Sequence, residues 1–151
     1  LPVTLYWQAN QPTSTEYEVL VRLVGLKLDQ TSVQAGESLE YSLLWESLSQ
    51  PELDYTVFNH LLDEHGELVA GYDSQPVNGS YPTSIWSPGE RILDRRHLPI
   101  PAALKPGRYR LAIGLYYQPT GQRLPVQLPD GAAADQARYL FPQAITVANQ
   151  E

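Results

Sequence analysis

The stretch Leu-Glu-Tyr-Ser-Leu-Leu-Trp-Glu at residues 39–46 decides the fold class, because its side chains alternate with a period of two. The large apolar side chains of this stretch fall on one face of a strand, and they are Leu39, Tyr41, Leu43 and Trp45. The polar residues of the same stretch fall mainly on the opposite face. Residues 17–24 and 108–115 repeat the pattern. Alternation of this kind predicts half-buried β-strands rather than helices.

Similar stretches recur along the chain between turn-forming glycines and prolines. We predict eight or nine strands, at residues 3–8, 17–28, 38–47, 54–63, 67–74, 90–98, 107–117, 122–127 and 143–148. The spacing favours an all-β fold, an antiparallel two-sheet β-sandwich that resembles the immunoglobulin or fibronectin type III class. Residues 63–66 form a predicted hairpin tip with Gly66 at positive φ. Residues 130–138 are helix-friendly but too short for a stable helix, and they are predicted to be a loop or a single turn.

The composition excludes several classes of function. The 151 residues contain no cysteine, so disulfides and thiol catalysis are excluded. The net charge is −7 and the sequence carries no basic stripe, so we expect no nucleic-acid partner. No apolar run reaches the roughly 18 residues that a membrane-spanning helix needs. We expect the chain to be a fragment of a larger protein, with any membrane attachment made by a part of the chain that is not present here.

A weak internal repeat relates two segments at an offset of 38 residues. The identical positions of the two copies are Leu5, Trp7, Tyr17, Val19 and Leu23 in the first and Leu43, Trp45, Tyr55, Val57 and Leu61 in the second. We therefore divide the chain into an N-terminal strand or arm, residues 1–17, and a β-sandwich domain, residues 18–151. Two interpretations of residues 1–17 stay open: a strand of this sandwich, or the tail of a preceding tandem copy.

Four segments together resemble a known type of domain. They are the strand Asp-Tyr-Thr-Val-Phe-Asn-His-Leu-Leu-Asp at 54–63, the loop Gly-Ser-Tyr-Pro-Thr-Ser-Ile-Trp-Ser-Pro-Gly-Glu at 79–90, Leu-Pro-Ile-Pro at 98–101, and Pro-Gly-Arg-Tyr-Arg-Leu-Ala-Ile-Gly-Leu-Tyr at 106–116. In order and spacing they resemble an extracytoplasmic C-terminal β-sandwich domain of membrane glycosyltransferase-like proteins of Chloroflexi-type bacteria, which are similar to dolichyl-phosphate-mannose transferases. The resemblance covers roughly residues 24–127.

This resemblance implies a non-catalytic accessory or interaction domain on the outer side of a bacterial membrane, periplasmic or at the cell surface. Its partners would be neighbouring domains of the same chain or a glycan. The resemblance brings no catalytic residue, because the multi-span catalytic part is not in this sequence. We therefore expect neither enzymatic activity nor a cofactor.

The loop from Gly79 to Glu90 is the candidate ligand site. Tyr81 and Trp86 sit there among small polar residues, and flat aromatic faces of this kind stack on pyranose C–H groups. Asn78 and Glu90 would fix the hydroxyl groups of a sugar. The sequence thus offers a carbohydrate-binding module as the alternative function. The competing interpretation is that both aromatic residues fold back and plug one end of the sandwich.

Other candidate sites are weaker. The histidines have no short-spaced partner for zinc, and the acidic residues 63–67 lack the spacing of an EF-hand, so we predict no metal site. Glu90 and Asp94 would lie about 13 Å apart on a strand, too far for glycoside hydrolysis. The basic residues between Arg91 and Arg96 are interpreted as a solvated strand. Tyr109, after a Pro-Gly-Arg turn, is predicted to be a corner tyrosine whose hydroxyl bonds a nearby loop.

Overall fold

The computed structural model of the protein describes residues 2–10, 17–128 and 132–149. The described part contains twelve strands: β1 (Pro2–Asn10), β2 (Tyr17–Leu28), β3 (Ser32–Gln34), β4 (Ser38–Ser47), β5 (Thr56–Leu62), β6 (Leu68–Gly71), β7 (Arg91–Pro99), β8 (Gly107–Tyr117), β9 (Gln122–Arg123), β10 (Val126–Gln127), β11 (Tyr139–Leu140) and β12 (Ile145–Ala148). Two 3₁₀ turns, Thr83–Ile85 and Asp135–Ala137, are the helical elements of the described ranges. Neither is long enough to cross a membrane.

The strands form two sheets that pack face to face. The first sheet has the strand order β10-β1-β2-β4-β7 and is antiparallel throughout. The second has the order β3-β12-β8-β5-β6, with β9 and β11 also paired to β8. Among its described strands, one pair is parallel and joins β3 to β12. The predicted all-β, two-sheet sandwich is confirmed, and its assignment to the immunoglobulin or fibronectin type III class stays a prediction.

The alternation of residues 39–46 places the core where the sequence predicts it. Tyr41 is 2% exposed, and the other three apolar residues of that face, Leu39, Leu43 and Trp45, are completely buried. The inward face of β8 meets them from the second sheet, and Leu111 and Ile113 there are also completely buried. These side chains form one continuous apolar cluster between the sheets.

Four short strands differ from the prediction. The predicted strand at 122–127 is two strands of two residues, β9 and β10, which belong to different sheets. Strands β3 and β11, with three and two residues, were not predicted. Segments this short do not complete two periods of alternation, so the pattern cannot reveal them.

The two segments of the sequence repeat do not have the same topology. Strands β1 and β2 pair with each other inside the first sheet. The corresponding strands of the second copy, β4 and β5, lie in opposite sheets. Leu5 and Trp7 of β1 are completely buried in the core, and Trp7 meets Trp45 edge to face with 5.1 Å between ring centroids. Whether residues 1–17 come from a preceding copy stays a prediction.

Strand β7 carries an ion pair on its inward face. Asp94 is completely buried and Arg96 is 6% exposed, and Arg96 Nε lies 2.8 Å from Asp94 Oδ2. The interpretation of this stretch as a solvated strand is therefore wrong for Arg96, whereas Arg91 and Arg95 are exposed. Asp94 and Arg96 share their face with Ile92 and Leu98, so the alternation of β7 itself sends them inward.

Tyr109 occupies the corner position that the sequence predicts. Its side chain is 7% exposed, and its hydroxyl donates a hydrogen bond of 2.6 Å to the carbonyl oxygen of Lys105. The bond fixes the turn that leads into β8. The hairpin tip at residues 63–66 is also confirmed, with Gly66 at φ 79° and the Asp63 carboxylate accepting the N–H groups of His65 and Glu67.

The outer face of the second sheet is partly covered by the chain around the second 3₁₀ turn. Phe58 stands on Gly114 of the neighbouring strand, where a Cβ atom would lie 2.3 Å from the Phe58 ring. The guanidinium of Arg123 lies 4.3 Å above the centroid of the same ring. His60 stacks beside Phe58 and faces Asp73, with His60 Nε2 4.0 Å from Asp73 Oδ1. Burial lowers the pKa of His60, although the Asp73 charge opposes the shift.

A matched pair of tryptophan substitutions tests the polar contact of the core. Trp45 Nε1 donates to Asp94 Oδ2 at 3.2 Å, whereas Trp7 Nε1 has no hydrogen-bond partner in the described part of the chain. Both side chains are completely buried, so replacement by phenylalanine removes the same ring volume. We expect Trp45→Phe to lower the free energy of unfolding by about 1–2 kcal/mol more than Trp7→Phe. Urea denaturation measures both values, and equal losses would contradict the account.

The burial of His60 predicts a pH dependence of stability. Its folded pKa lies below the unfolded value of about 6.5, so the unfolded chain binds more protons as the pH falls through 6.5. The free energy of unfolding should therefore fall between pH 7.5 and 5.5, and His60→Gln should flatten this slope. His65→Gln, at a turn residue whose side chain is 77% exposed, is the control and should keep the slope. An unchanged slope in His60→Gln would refute the assignment.

Candidate functional site

The loop that the sequence favours as a ligand site holds Trp86 inside the protein. Trp86 is 1% exposed and belongs to the core cluster. Its indole Nε1 donates to the carbonyl oxygen of Tyr81 at 3.0 Å. The Trp86 ring therefore presents no face for stacking on a sugar, and the predicted stacking role is replaced by the competing interpretation, in which this residue plugs one end of the sandwich.

Tyr81 and Glu90 form a hydrogen bond that joins the beginning of the same loop to its end. The Tyr81 hydroxyl donates to Glu90 Oε2 at 2.5 Å, and the backbone N–H of Ser87 donates to Glu90 Oε1 at 3.0 Å. The hydrogen bond from Tyr81 is the main cause of a lowered pKa of Glu90. Tyr81 packs against the core and is only partly exposed. Both carboxylate oxygens of Glu90 thus already have partners within the loop.

Asn78 lies apart from the other three predicted residues. It is exposed, its backbone has φ 55°, and its amide oxygen accepts a hydrogen bond from the Tyr72 hydroxyl at 3.4 Å. The structure therefore brings Tyr81, Trp86 and Glu90 together as a loop-closing cluster. It places Asn78 beside a different surface, the outer face of the first sheet.

The outer face of the first sheet contains a groove of about 670 Å³ across β2, β4 and β7. A bulge in β2 between Leu23 and Gly25 shifts the register against β4. Gly25 has no side chain above the sheet, and a Cβ atom there would lie only 3.2 Å from Leu44 Cβ. Ser42, another small residue, lines the neighbouring part of the floor. The groove thus forms where the small residues Gly25 and Ser42 leave a depression in the outer surface of the sheet.

Charged side chains border this groove, and they are Lys27, Asp29, Glu40 and Arg95. Lys27 and Arg95 are the cross-strand neighbours of Ser42 on its two sides. All four charged residues are exposed, and none forms an ion pair within 4.0 Å with another residue of the described ranges. Their hydrogen-bonding groups are consequently available to a ligand.

On the same face, the neighbouring row of cross-strand residues, Arg22, Glu46 and Arg91, differs from the groove because its charges are paired with one another. There Glu46 pairs with Arg22 at 2.6 Å and with Arg91 at 2.9 Å. These two arginines lower the pKa of Glu46, the hydrogen bond from Arg91 being the largest cause. Between the paired row and the charged groove lie Leu44 and Leu93, and Leu93 is 50% exposed. The face thus carries an apolar band beside a row of uncommitted charges.

A smaller cavity of about 80 Å³ continues the groove past the edge of β7. The two cavities share Arg95 and Arg96. The rings of Tyr72 and His97 meet at this end with 5.3 Å between their centroids, and Asn78 lies beside them. The complete surface, here called the sheet groove, runs from Lys27 to Asn78 and combines both charge signs, an amide, a hydroxyl and an aromatic ring.

Sequence reasoning found Asn78 but missed the rest of the sheet groove. The sequence pattern does indicate most of the missed residues, because alternation places Ser42, Arg95 and His97 on the outer face of their strands. The bulge at Gly25 and the position of Tyr72 beyond the edge of β7 depend on the tertiary fold. A single sequence does not give these neighbours.

The described residues contain no group of three or more histidine, aspartate or glutamate side chains that could hold a metal ion. Glu90 and Asp94, which the sequence predicts to be too far apart for glycoside hydrolysis, lie in different surroundings. Asp94 is completely buried, whereas Glu90 precedes β7 and belongs to the loop-closing cluster.

Comparisons with known proteins show the fold of the chain. No family model and no curated protein matches the sequence. Among solved structures, the C-terminal domain of wzt is similar over 97% of this chain and 78% of its own, with 12% identity and a TM-score of 0.53.

Two further structures are less similar. They are the Pseudomonas fluorescens alkylpurine DNA glycosylase AlkC (15% identity, 85% of this chain, 30% of that chain, TM-score 0.49) and the CARDB domain of the PF1109 protein from Pyrococcus furiosus (13% identity, 87% of this chain, 96% of that chain, TM-score 0.44). The chain thus spans under a third of the AlkC chain. The similarity to the C-terminal domain of wzt, at 12% identity and a TM-score of 0.53, shows the fold alone.

Proposed function

We propose that the protein is a non-catalytic interaction domain that binds a glycan in the sheet groove. The observation that carries the proposal is the set of charged side chains around Ser42, which are exposed and form no ion pairs with the described residues. Binding sites for small polar ligands are typically concave and combine apolar surface with a few polar groups that fix orientation. The sheet groove has both.

The chemistry of the sheet groove suits a sugar. Carboxylates such as Glu40 accept hydrogen bonds from sugar hydroxyls, and Lys27 and Arg95 donate to their oxygen atoms. The exposed Leu93 and the Tyr72 ring offer apolar surface to the C–H faces of a pyranose. The 670 Å³ volume is within the usual range for ligand sites, about 300–1,000 Å³.

Two carboxylates near the groove, those of Asp94 and Glu90, are already engaged within the protein, and this supports binding rather than catalysis at these two residues. Asp94 accepts hydrogen bonds from Arg96, Trp45 and the backbone of Val77, and it is closed off from solvent. Glu90 is held by Tyr81 and Ser87. A general acid or base must reach the group with which it exchanges a proton. Neither Asp94 nor Glu90 is free to do so.

The proposed setting is the outer side of a bacterial membrane, as an accessory part of a membrane-anchored, glycosyltransferase-like protein. The support for this setting is the resemblance carried by residues 54–63, 79–90, 98–101 and 106–116. A glycan held in the sheet groove would then lie close to the membrane part of the same protein. Packing against neighbouring domains of that protein is the other role proposed for its surface.

Glycan-array screening followed by calorimetry tests the proposal. We expect saturable binding of at least one oligosaccharide, weakened about tenfold or more by Arg95→Gln and by Glu40→Gln, since losing one good contact changes affinity by a factor of this order. Asn78→Gly removes the amide and suits the positive φ at that position. It should also weaken binding.

Two control substitutions keep the test specific. Glu64→Gln changes one charge at the exposed hairpin tip of the other sheet and should leave binding unchanged. Trp86→Phe should lower stability and leave the affinity of the folded protein unchanged, because the buried ring does not line the sheet groove. Binding that survives the groove substitutions, or that is lost in Glu64→Gln, would contradict the site, and no binding at millimolar sugar would contradict the function.

A further inference from the structure

We propose that a second cavity, on the outer face of the other sheet, binds a phosphate monoester group attached to an apolar body. The cavity has a volume of about 570 Å³ and lies between the tip of the β5–β6 hairpin and the start of β8. Its cationic lining residues are Arg108, Arg110 and Arg138, and its apolar ones include Leu62, Leu140 and Pro142. We call it the arginine cavity. This inference does not depend on the glycan site, which lies on the first sheet.

The position of Arg110 is fixed by the fold. Its Nε and Nη2 donate to the carbonyl oxygen of Phe141 at 2.9 and 2.7 Å. Phe141 is 1% exposed, so the acceptor belongs to a rigid part of the core. A guanidinium held in this way loses little conformational entropy when it binds an anion.

The other two arginines are not neutralised within the described ranges. Neither Arg108 nor Arg138 forms an ion pair within 4.0 Å there. Three of the ten basic residues of an acidic chain thus line one cavity. Like charges gathered in this way repel one another, and a bound anion would relieve the repulsion.

The two carboxylates at the rim already have other partners. Asp63 Oδ1 accepts the backbone N–H groups of His65 and Glu67 at 2.8 and 2.9 Å, and these bonds lower the pKa of Asp63. Glu64 Oε1 lies 3.5 Å from His65 Nε2, and both side chains are largely exposed. Neither carboxylate forms an ion pair within 4.0 Å with the three arginines in the described ranges, so the lining combines three cationic side chains with two anionic ones that are not paired to them.

The number and geometry of the cationic groups favour phosphate over carboxylate. A guanidinium presents a planar fork of N–H donors that matches the oxygens of either anion. A phosphate monoester has three terminal oxygens and nearly two negative charges at neutral pH, so it can engage three guanidinium groups at once. A carboxylate has two oxygens and one charge. Leu140 and Pro142 would contact an apolar group attached to the phosphate.

Calorimetry with phenyl phosphate, inorganic phosphate and benzoate tests the proposal on the whole chain. We expect phenyl phosphate to bind saturably and at least about tenfold more tightly than benzoate, and the double variant Arg108→Gln/Arg138→Gln to lose about tenfold or more of this affinity. Neither side chain donates a hydrogen bond within the described part, so the variant should fold. A thermal unfolding curve of unchanged midpoint verifies this.

The charge-matched control is Arg91→Gln/Lys105→Gln, which removes two positive charges outside the arginine cavity, that of Arg91 being paired with Glu46. It should retain the affinity for phenyl phosphate. Equal losses in both double variants would show attraction by net charge only and would overturn the proposal, as would benzoate binding as tightly as phenyl phosphate or no saturation at 10 millimolar. Co-sedimentation with phosphatidylcholine vesicles containing phosphatidic acid distinguishes a lipid headgroup from a free ester as the source of the phosphate group. If the wild-type chain binds the vesicles and, of the two double variants, only Arg108→Gln/Arg138→Gln loses this binding, the group is a lipid headgroup. If the chain binds phenyl phosphate but not the vesicles, the group belongs to a free ester.

Discussion

The ion pair between Asp94 and Arg96 is the interaction on which the rest of the structure depends. Both residues belong to β7, and both point into the space between the sheets, where an unpaired charge would be costly. Hydrogen bonds satisfy nearly all the polar atoms of these two side chains. Asp94 accepts from Arg96, from Trp45 Nε1 and from the backbone N–H of Val77. Arg96 also donates to the hydroxyl and carbonyl oxygens of Ser74. A single pair of charges thus joins the first sheet to the chain that follows β6.

This connection positions the sheet groove. Arg96 and Asp94 hold residues 74–77 by hydrogen bonds to Ser74 and Val77. Tyr72 and Asn78, which lie two residues before and one residue after this segment, form the end of the groove. The same pair affects the edge of the sheet, because β7 is a nine-residue edge strand. Inward-pointing charges disfavour the addition of a further strand to such an edge. Stability, site geometry and resistance to edge pairing therefore rely on the same two side chains.

The sequence predicts the parts of this structure that follow from local periodicity. The alternation around Tyr41 and along β8 identifies the core, and the Pro-Gly-Arg turn identifies Tyr109 as the corner residue. The ion pair was predictable in part, since Asp94 and Arg96 alternate with Ile92 and Leu98. Its partners were not, because Ser74 and Val77 reach it through the packing of a distant loop. For Trp86 the sequence leaves two interpretations open, because its neighbours in sequence are polar, whereas its neighbours in space are the core. The arginine cavity stayed hidden because Arg108, Arg110 and Arg138 converge only in the folded chain.

A double-mutant cycle on Asp94 and Arg96 tests the central claim most directly. The free energy of unfolding of the wild-type protein is compared with those of Asp94→Asn, Arg96→Met and the double variant. The account predicts that each single substitution lowers this free energy by about 3–5 kcal/mol, because it leaves one buried group unpaired. It further predicts that the double variant is more stable than the sum of the two losses implies, with a coupling of about 1.5–3 kcal/mol. Losses that add to within about 0.5 kcal/mol would contradict it, since the two side chains would then contribute independently.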